Sequence, residues 1–260
     1  MVADVVEHTN YLANSRASLE ALKSANLLKS VAINAIILGE SGVGKLTLSK
    51  HIVDAPVVDG AILGDVLASI ESNSHLIITN FDQITNYQKL KISLETHKTR
   101  IIATSTLPIK ESLMDEFFSL KITIPPLRER KEDILPLVEK FILEASSMFG
   151  EDTWKSTILA RNIIPDISNN AYSLRRSVYA TCLMSQLNEE ELLSIMEHFL
   201  SQHLGGENDY RDLLYMFDVP MIRAGHKKFG SQLAISEKFG LNRNTLRKKI
   251  NDYKSWLQLD

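Results

Sequence analysis

The sequence predicts an α/β core followed by an all-helical half, on three observations. Short apolar runs alternate with helical stretches as far as residue 124. Pro125-Pro126 ends that alternation, and only helical patterns follow. Gly205-Gly206-Glu207-Asn208-Asp209 then interrupts the helices ahead of a basic end segment. Strands alternating with helices imply a largely parallel sheet covered on both faces.

The elements follow in order. Residues 10–30 carry Leu12, Leu19, Leu22, Leu27 and Leu28 at spacings that fit a helix broken once or twice. Ala35-Ile36-Ile37-Leu38 is a short apolar run ending in glycine, which reads as a buried strand, and Gly44 to Ile52 reads as a helix. Leu76-Ile77-Ile78 is a second strand, Arg100 to Thr104 a third and Leu120 to Ile124 a fourth, with a helix over Tyr87 to Thr96 between them. Beyond Pro126, residues 131–149, 154–163, 173–187 and 189–203 read as helices. The 205–209 segment is the best linker. Three further helices are expected at roughly 209–224, 230–238 and 242–256.

The chain has 260 residues, enough for one large or two smaller domains. It contains no run of 18 apolar residues, so no membrane span is expected, and its start lacks the pattern of a secretory signal. The single cysteine, Cys182, can form neither an internal disulfide nor a zinc site, which suits a reducing cytoplasm; it reads as a small buried apolar residue. The net charge of −3 is unevenly spread. Residues 221–260 hold nine Lys/Arg against three acids, a net +6, so the rest of the chain carries −9. A basic end on an acidic body suggests an anionic partner for that end, although a solvated helix face would give the same charge.

The first strand runs into Gly39-Glu40-Ser41-Gly42-Val43-Gly44-Lys45, followed by Leu46. This is a G-x-x-x-x-G-K phosphate loop in its strand–loop–helix setting. Glycines let the backbone wrap a phosphate with N–H groups pointing inward, and the helix N-terminus adds a favourable dipole. Lys45 would pair with the outer phosphates. The alternative is a glycine-rich turn that binds nothing. Leu46 stands where a Ser or Thr usually supplies a hydroxyl to Mg2+, and Thr47, one place on, points about 100° away around the helix. ATP or ADP is therefore the expected ligand, at a poor Mg2+ site.

The basic end reads FGSQLAISEKFGLNRNTLRKKINDY over residues 229–253. Ser231 can cap one helix, Gly240 can close it in a left-handed conformation, and Asn242 can cap the next. Leu246 and Ile250, four residues apart, face inward. Arg243, Asn244, Thr245, Arg247 and Lys248 are then free to face outward. A second helix so furnished can read base edges in a major groove with Arg and Asn while Lys meets phosphates. A helical hairpin used for protein contact is the competing reading.

GESGVGK followed by IPPLRERKEDILPLVEKFI resembles the central AAA+ domain of the bacterial enhancer-binding proteins, the NtrC-like activators that work with sigma-54. Arg128-Glu129-Arg130 with Glu132-Asp133-Ile134 looks like that family's hinge between the core and its helical lid. ANSRASLEALKSANLLKSVAINAIIL resembles the segment that leads into the core, and 207–253 resembles the Fis-type helix-turn-helix that closes these regulators. The resemblance covers about Leu12 to Tyr253. It implies an AAA+ P-loop core over 1–126, a helical lid over 127–205 and a small all-α helix-turn-helix domain over 206–260. It also implies double-stranded DNA as partner. YRDLLYMFDVPMI resembles the pairing helix of a homodimer, with Leu213, Leu214, Phe217 and Ile222 as its apolar stripe; the alternative is that this stripe only covers the reader helices.

The departures from the family are as informative. The second acidic motif should end its strand with Asp-Glu, yet Thr79-Asn80 stand there, with Asp82 just beyond. Those acids hold Mg2+ and polarise the attacking water. Thr106 takes the sensor asparagine's place, and Leu113 and Ser119 fall where arginines reaching a neighbouring subunit are expected. Such an arginine is worth ~10³–10⁵ in rate. Arg175, in YSLRRSV, matches the lid arginine that touches the outer phosphate, unless it is a surface charge beside Arg176. Only 33 residues separate Lys45 from Thr79, and no GAFTGA-like loop for gripping sigma-54 occurs in the sequence. The expectation is a DNA-binding regulator that neither hydrolyses ATP nor contacts sigma-54. Its competitors are a residual ATPase and a nucleotide-controlled oligomerisation switch.

Overall fold

The computed structural model describes residues 11–149 and 165–257. The helix expected over 154–163 lies outside them. The chain divides into two compact units, Met1–Gln186 and Leu187–Asp260.

The first unit opens with α1 (Arg16–Ser30), whose N-cap Ser15 accepts a bond from the Ser18 amide. There follow β1 (Ala35–Leu38), α2 (Lys45–Ile52), β2 (Val57–Asp59), α3 (Leu63–Ser72), β3 (His75–Thr79), α4 (Tyr87–His97), β4 (Arg100–Ser105), α5 (Glu111–Phe117) and β5 (Leu120–Thr123). The five strands form one sheet in the order β2-β3-β4-β1-β5, and every pairing is parallel. Four of them match the expected strands. β2 was not foreseen; it is three residues long and half exposed at the sheet edge, so it carries no buried apolar run.

Alternation along the strands builds two layers of core. Ala35, Ile37, Ile77, Ile102 and Ile122 face α1 and α2 with Ala25, Leu28, Leu48 and Ile52. Ile36, Leu76, Ile78, Ile101 and Ala103 face the opposite way, against Val66 and Ile70 of α3 and Leu90 and Leu94 of α4. Both faces are covered, as a parallel sheet requires.

Pro125-Pro126 ends the sheet and two short 3-10 turns, Leu127–Glu129 and Lys131–Asp133, lead into α6 (Ile134–Phe149). α7 (Asn170–Met184) packs on α6 through Val138, Ile142 and Ala145 against Leu174, Val178 and Cys182. Cys182 is fully buried there, as its sequence setting suggested, and burial pushes its thiol up from the usual value.

The second unit begins with α8 (Glu189–Ser201), closed at its start by a capping box between Asn188 and Glu191. The sequence groups this helix with the lid, ahead of the linker at 205–209, whereas the compact units divide before it, after Gln186. Next come α9 (Asp209–Leu213), α10 (Tyr215–Phe229), α11 (Gln232–Phe239), α12 (Arg243–Asp252) and α13 (Lys254–Leu257). The helix expected over 209–224 is thus split at Leu214 and runs on to Phe229 despite Pro220 within it. Val219, Ile222, Ile235, Leu246 and Leu257 form the small core of these helices.

Candidate functional site

The phosphate loop lies between β1 and α2. Gly39, Gly42 and Gly44 adopt φ of 153°, 75° and 102°, the left-handed region that the motif's glycines make accessible. A Cβ on Gly42 would meet the Asn169 carbonyl oxygen at 2.8 Å, so that position also needs glycine for space. The Lys45 ammonium donates to the Gly39 carbonyl at 2.6 Å, the Glu40 carbonyl at 2.8 Å and Thr106 Oγ1 at 3.1 Å. Burial pulls the Lys45 pKa below the ordinary lysine value, and the Asp82 carboxylate works against that. Thr106 therefore stands beside Lys45, at the end of β4, where the sequence put the sensor position.

The loop is held from the lid side by side chains from far along the chain. Arg128 grips Glu40 with two bonds, 2.6 and 2.9 Å. Asn170, at the start of α7 with φ 52°, donates to Glu40 Oε2 at 3.2 Å and to the Ser41 carbonyl at 2.8 Å, and accepts from the Leu127 amide at 2.6 Å. The Ala171 amide donates to the Gly42 carbonyl at 3.1 Å. The Arg128 bonds hold the Glu40 carboxyl below its usual range, with Asn170 adding to the effect.

Beneath the loop lies a buried polar network. Asp133 accepts from the Asn14 amide and the Ser15 amide, both at 2.7 Å, from the Ser15 hydroxyl at 2.9 Å, the Ser18 hydroxyl at 2.5 Å and Arg130 at 3.2 Å. Arg130 also donates to the Val43 carbonyl at 3.1 Å and to Pro125 O at 2.8 Å. The cap of α1, the hinge and the phosphate loop are thus joined through two charged side chains. Tyr11 covers Gly44: a Cβ there would stand 3.3 Å from its ring. Sequence reasoning picked out Arg128 and Arg130 as hinge residues but missed Tyr11, Ser15, Ser18 and Asn170 as partners. The Asn169-Asn170 pair was legible as a turn and cap signal; its reach to residue 40 was not.

The residues at the positions where the resemblance implies acids are otherwise engaged. Thr79 Oγ1 donates to the Val58 carbonyl at 3.1 Å, and Asn80 donates to Asp59 at 3.0 Å. Asp82 accepts from the Ser105 hydroxyl at 2.6 Å. Leu46 is exposed, Leu113 is half-buried against the sheet core, and the Ser119 amide bonds to Asn34 O. This donor set suits Mg2+ poorly: next to Lys45 it offers a leucine, the end of β3 a neutral Thr and Asn, and the carboxylate that acts on Lys45, Asp82, is already bonded to Ser105. Arg175 sits on α7 with its guanidinium bonded to the Tyr179 hydroxyl and paired with Glu144 of α6 at 3.0 Å. Its charge is directed within the lid.

In the second unit, Ser231 accepts from the Ala234 amide and caps α11, Gly240 closes it at φ 63°, and Asn242 accepts from the Asn244 amide and caps α12. Leu246 is buried and Ile250 packs beside it. Arg243, Asn244, Thr245, Arg247 and Lys248 are all exposed on one helix. Of the stripe on α9 and α10, Ile222 belongs to the core at 2% exposure, whereas Phe217 remains 59% exposed. Leu213, Leu214, Phe217 and Tyr210 line an apolar cleft with Met196 and Leu200 of α8.

Among known proteins, no family model matches the chain. The DNA-binding transcriptional regulator NtrC of Bradyrhizobium sp. (strain RP501 Parasponia) is 26% identical over 196 residues, covering 59% of this chain and 41% of that protein. NtrC of Rhizobium meliloti (strain 1021) is 23% identical over 200 residues, with the same coverage. The chain thus spans about two fifths of the length of these two relatives. The HTH-type transcriptional regulatory protein TyrR of Haemophilus influenzae is 19% identical over 249 residues, 86% of this chain and 78% of that one. The crystal structure of NtrX from Brucella abortus in complex with ADP superposes with a TM-score of 0.55 at 17% identity, over 94% of this chain and 69% of that chain. The ATP complex of the same protein gives 0.53 at 15% identity, over 96% of this chain and 69% of that chain. Among the described residues no helix is long and apolar enough to cross a membrane. The parallel five-stranded sheet, its flanking helices and the helical subdomain therefore share the fold of NtrX.

Proposed function

We propose that the chain is a sequence-selective DNA-binding transcription regulator whose AAA+ unit binds an adenine nucleotide without hydrolysing it. The observation that carries the DNA reading is α12. Its inward positions, Leu246 and Ile250, pack on the small core, and Arg243, Asn244, Thr245, Arg247 and Lys248 all face solvent. Such a helix offers bidentate donors for base edges and a point charge for phosphate. The relatives with DNA-binding names support the same reading. α11, the turn at Gly240 and α12 form its helix-turn-helix, and exposed Phe217 with Leu213 and Leu214 forms the face of a homodimer. The test is binding-site selection from random duplexes. Asn244→Ala combined with Arg247→Ala should leave binding but erase the sequence preference. A double variant that selects the same sites as the wild type overturns the assignment.

The nucleotide part rests on the three glycines in the left-handed region and on Lys45 at the head of α2. Lys45 would exchange its loop carbonyls for phosphate oxygens. The lack of turnover rests on Thr79, Asn80, Leu113 and Ser119, which carry none of the charges that hold a metal, polarise water or stabilise phosphoryl transfer in trans. Without a GAFTGA-like loop, contact with sigma-54 is not part of this function. A melting-temperature rise with ATP or ADP, absent in Lys45→Ala, is expected. Steady-state phosphate release in the presence of DNA, abolished by Lys45→Ala, would establish the competing reading of a residual ATPase.

A further inference from the structure

Helix α12 carries four cations, Arg243, Arg247, Lys248 and Lys249, and they are not equivalent. The first three are exposed. Lys249 turns back into the unit and its ammonium donates to Asp218 Oδ2 at 2.5 Å, with the two side chains 26% and 11% exposed. Asp218 lies on α10, next to exposed Phe217, and its residue is 8% exposed. The Tyr253 phenol, at the end of α12, is raised by burial and by the negative charge of Asp218. Asp218 thus holds the C-terminal half of α12 through Lys249. An ion pair is a costly way to hold two helices together, because both charges lose water. At this place it has a consequence that an apolar pair would lack: it fixes a cation adjacent to Lys248 away from the exposed face.

We propose that Asp218 withholds Lys249 from DNA, so that α12 presents three cations to the duplex and binding to random sequence stays weak. This rests on the DNA-reading role of α12. Phosphate contacts raise affinity for every sequence alike and carry no base information. Each phosphate neutralised steepens the dependence of log K on log salt by about 0.9. Lys249 is therefore silent in that slope while Asp218 is ionised beside it.

The experiment uses the full chain and a random-sequence duplex, with affinity measured by fluorescence anisotropy across a salt series. Asp218→Asn keeps the side-chain shape but removes the charge. The expected result is tighter binding at low salt and a slope steeper by about 0.9 per bound subunit, restored to the wild-type slope in the Asp218→Asn, Lys249→Gln double variant. A wild-type protein that binds with a slope Asp218→Asn leaves unchanged overturns this proposal alone. A wild-type protein that binds no duplex overturns the DNA reading and this proposal with it. Where the variants fail to fold, reductive methylation of the wild-type protein decides. Lys249 should be protected with and without DNA, and Lys248 protected only with DNA. A Lys249 as reactive as Lys248 in the free protein overturns the proposal.

Discussion

Asp133→Asn exchanges one carboxylate oxygen for an amide NH2 and leaves the side chain's shape almost unchanged. In the folded protein one oxygen of Asp133 accepts from the Asn14 and Ser15 amides, each at 2.7 Å. The other accepts from the Ser15 hydroxyl at 2.9 Å, the Ser18 hydroxyl at 2.5 Å and Arg130 at 3.2 Å. The single oxygen of Asn can serve only one of these sets. With that oxygen on the two amides, the NH2 faces two hydroxyls, which can rotate to accept, and Arg130, which cannot. Arg130 is 3% exposed, so its charge would stay buried without a counter-ion. Removing one partner of a buried pair costs about 3–5 kcal/mol, a figure that already contains the lost charge-assisted bonds. Arg130 keeps the Pro125 and Val43 carbonyls, which places the expected loss near the lower end, about 3 kcal/mol. For a unit of this size that is a fall in melting temperature of roughly 6–12 °C. Thermal and urea melts followed by circular dichroism measure it, and a loss below about 1 kcal/mol would refute the reasoning.

The same variant carries a pH signature. Burial alone would raise the Asp133 carboxyl, but the bonds from Ser18, Ser15 and Asn14 together outweigh it and hold the pKa below the ordinary value. A carboxyl depressed in the folded state adds stability above its unfolded value of about 3.9 and loses it as pH falls through the folded value. The wild-type advantage over Asp133→Asn should therefore be full at neutral pH and shrink below about pH 4. A gap that stays constant into acid would mean that the carboxylate is not the stabilising group.

Two further outcomes follow from the second unit. A Cβ on Gly225 would stand 2.5 Å from Phe239 Cζ, so Gly225→Ala should push α11 off α10. The gain in helix propensity, up to about 1 kcal/mol, is outweighed, and differential scanning calorimetry should show a lower transition together with weakened DNA binding; a stabilised variant would contradict the close approach. Phe217→Asp places a charge on the exposed stripe without touching Ile222 in the core, so sedimentation equilibrium should show at least a tenfold weaker dimer with an unchanged melting temperature at concentrations where the protein is monomeric, and unaltered self-association would remove this face from the interface.

The sequence by itself determined those features whose cause is local. Four apolar runs became four strands, because alternate residues of a short β segment meet the two covering layers without further information. The caps Ser231 and Asn242, the left-handed Gly240 and the inward Leu246 are each set by residues within a few positions, and all stand where the pattern put them. The glycines of the phosphate loop announced their backbone geometry for the same reason. β2 escaped notice since three half-exposed residues at a sheet edge leave no apolar signature. The break at Leu214 escaped too, within what reads as one continuous helical pattern. Tertiary structure alone decided the partners. Asp133 binds Ser15 across 118 positions, Asn170 reaches Glu40 across 130, and Lys249 is drawn to Asp218 across 31. Hydrogen bonds and ion pairs between residues so far apart depend on where packing of the sheet and helices brings the chain together. No periodicity records that, and so the sequence shows which residues can carry charge or donate a bond, while the fold decides which of those charges remain free to meet a ligand.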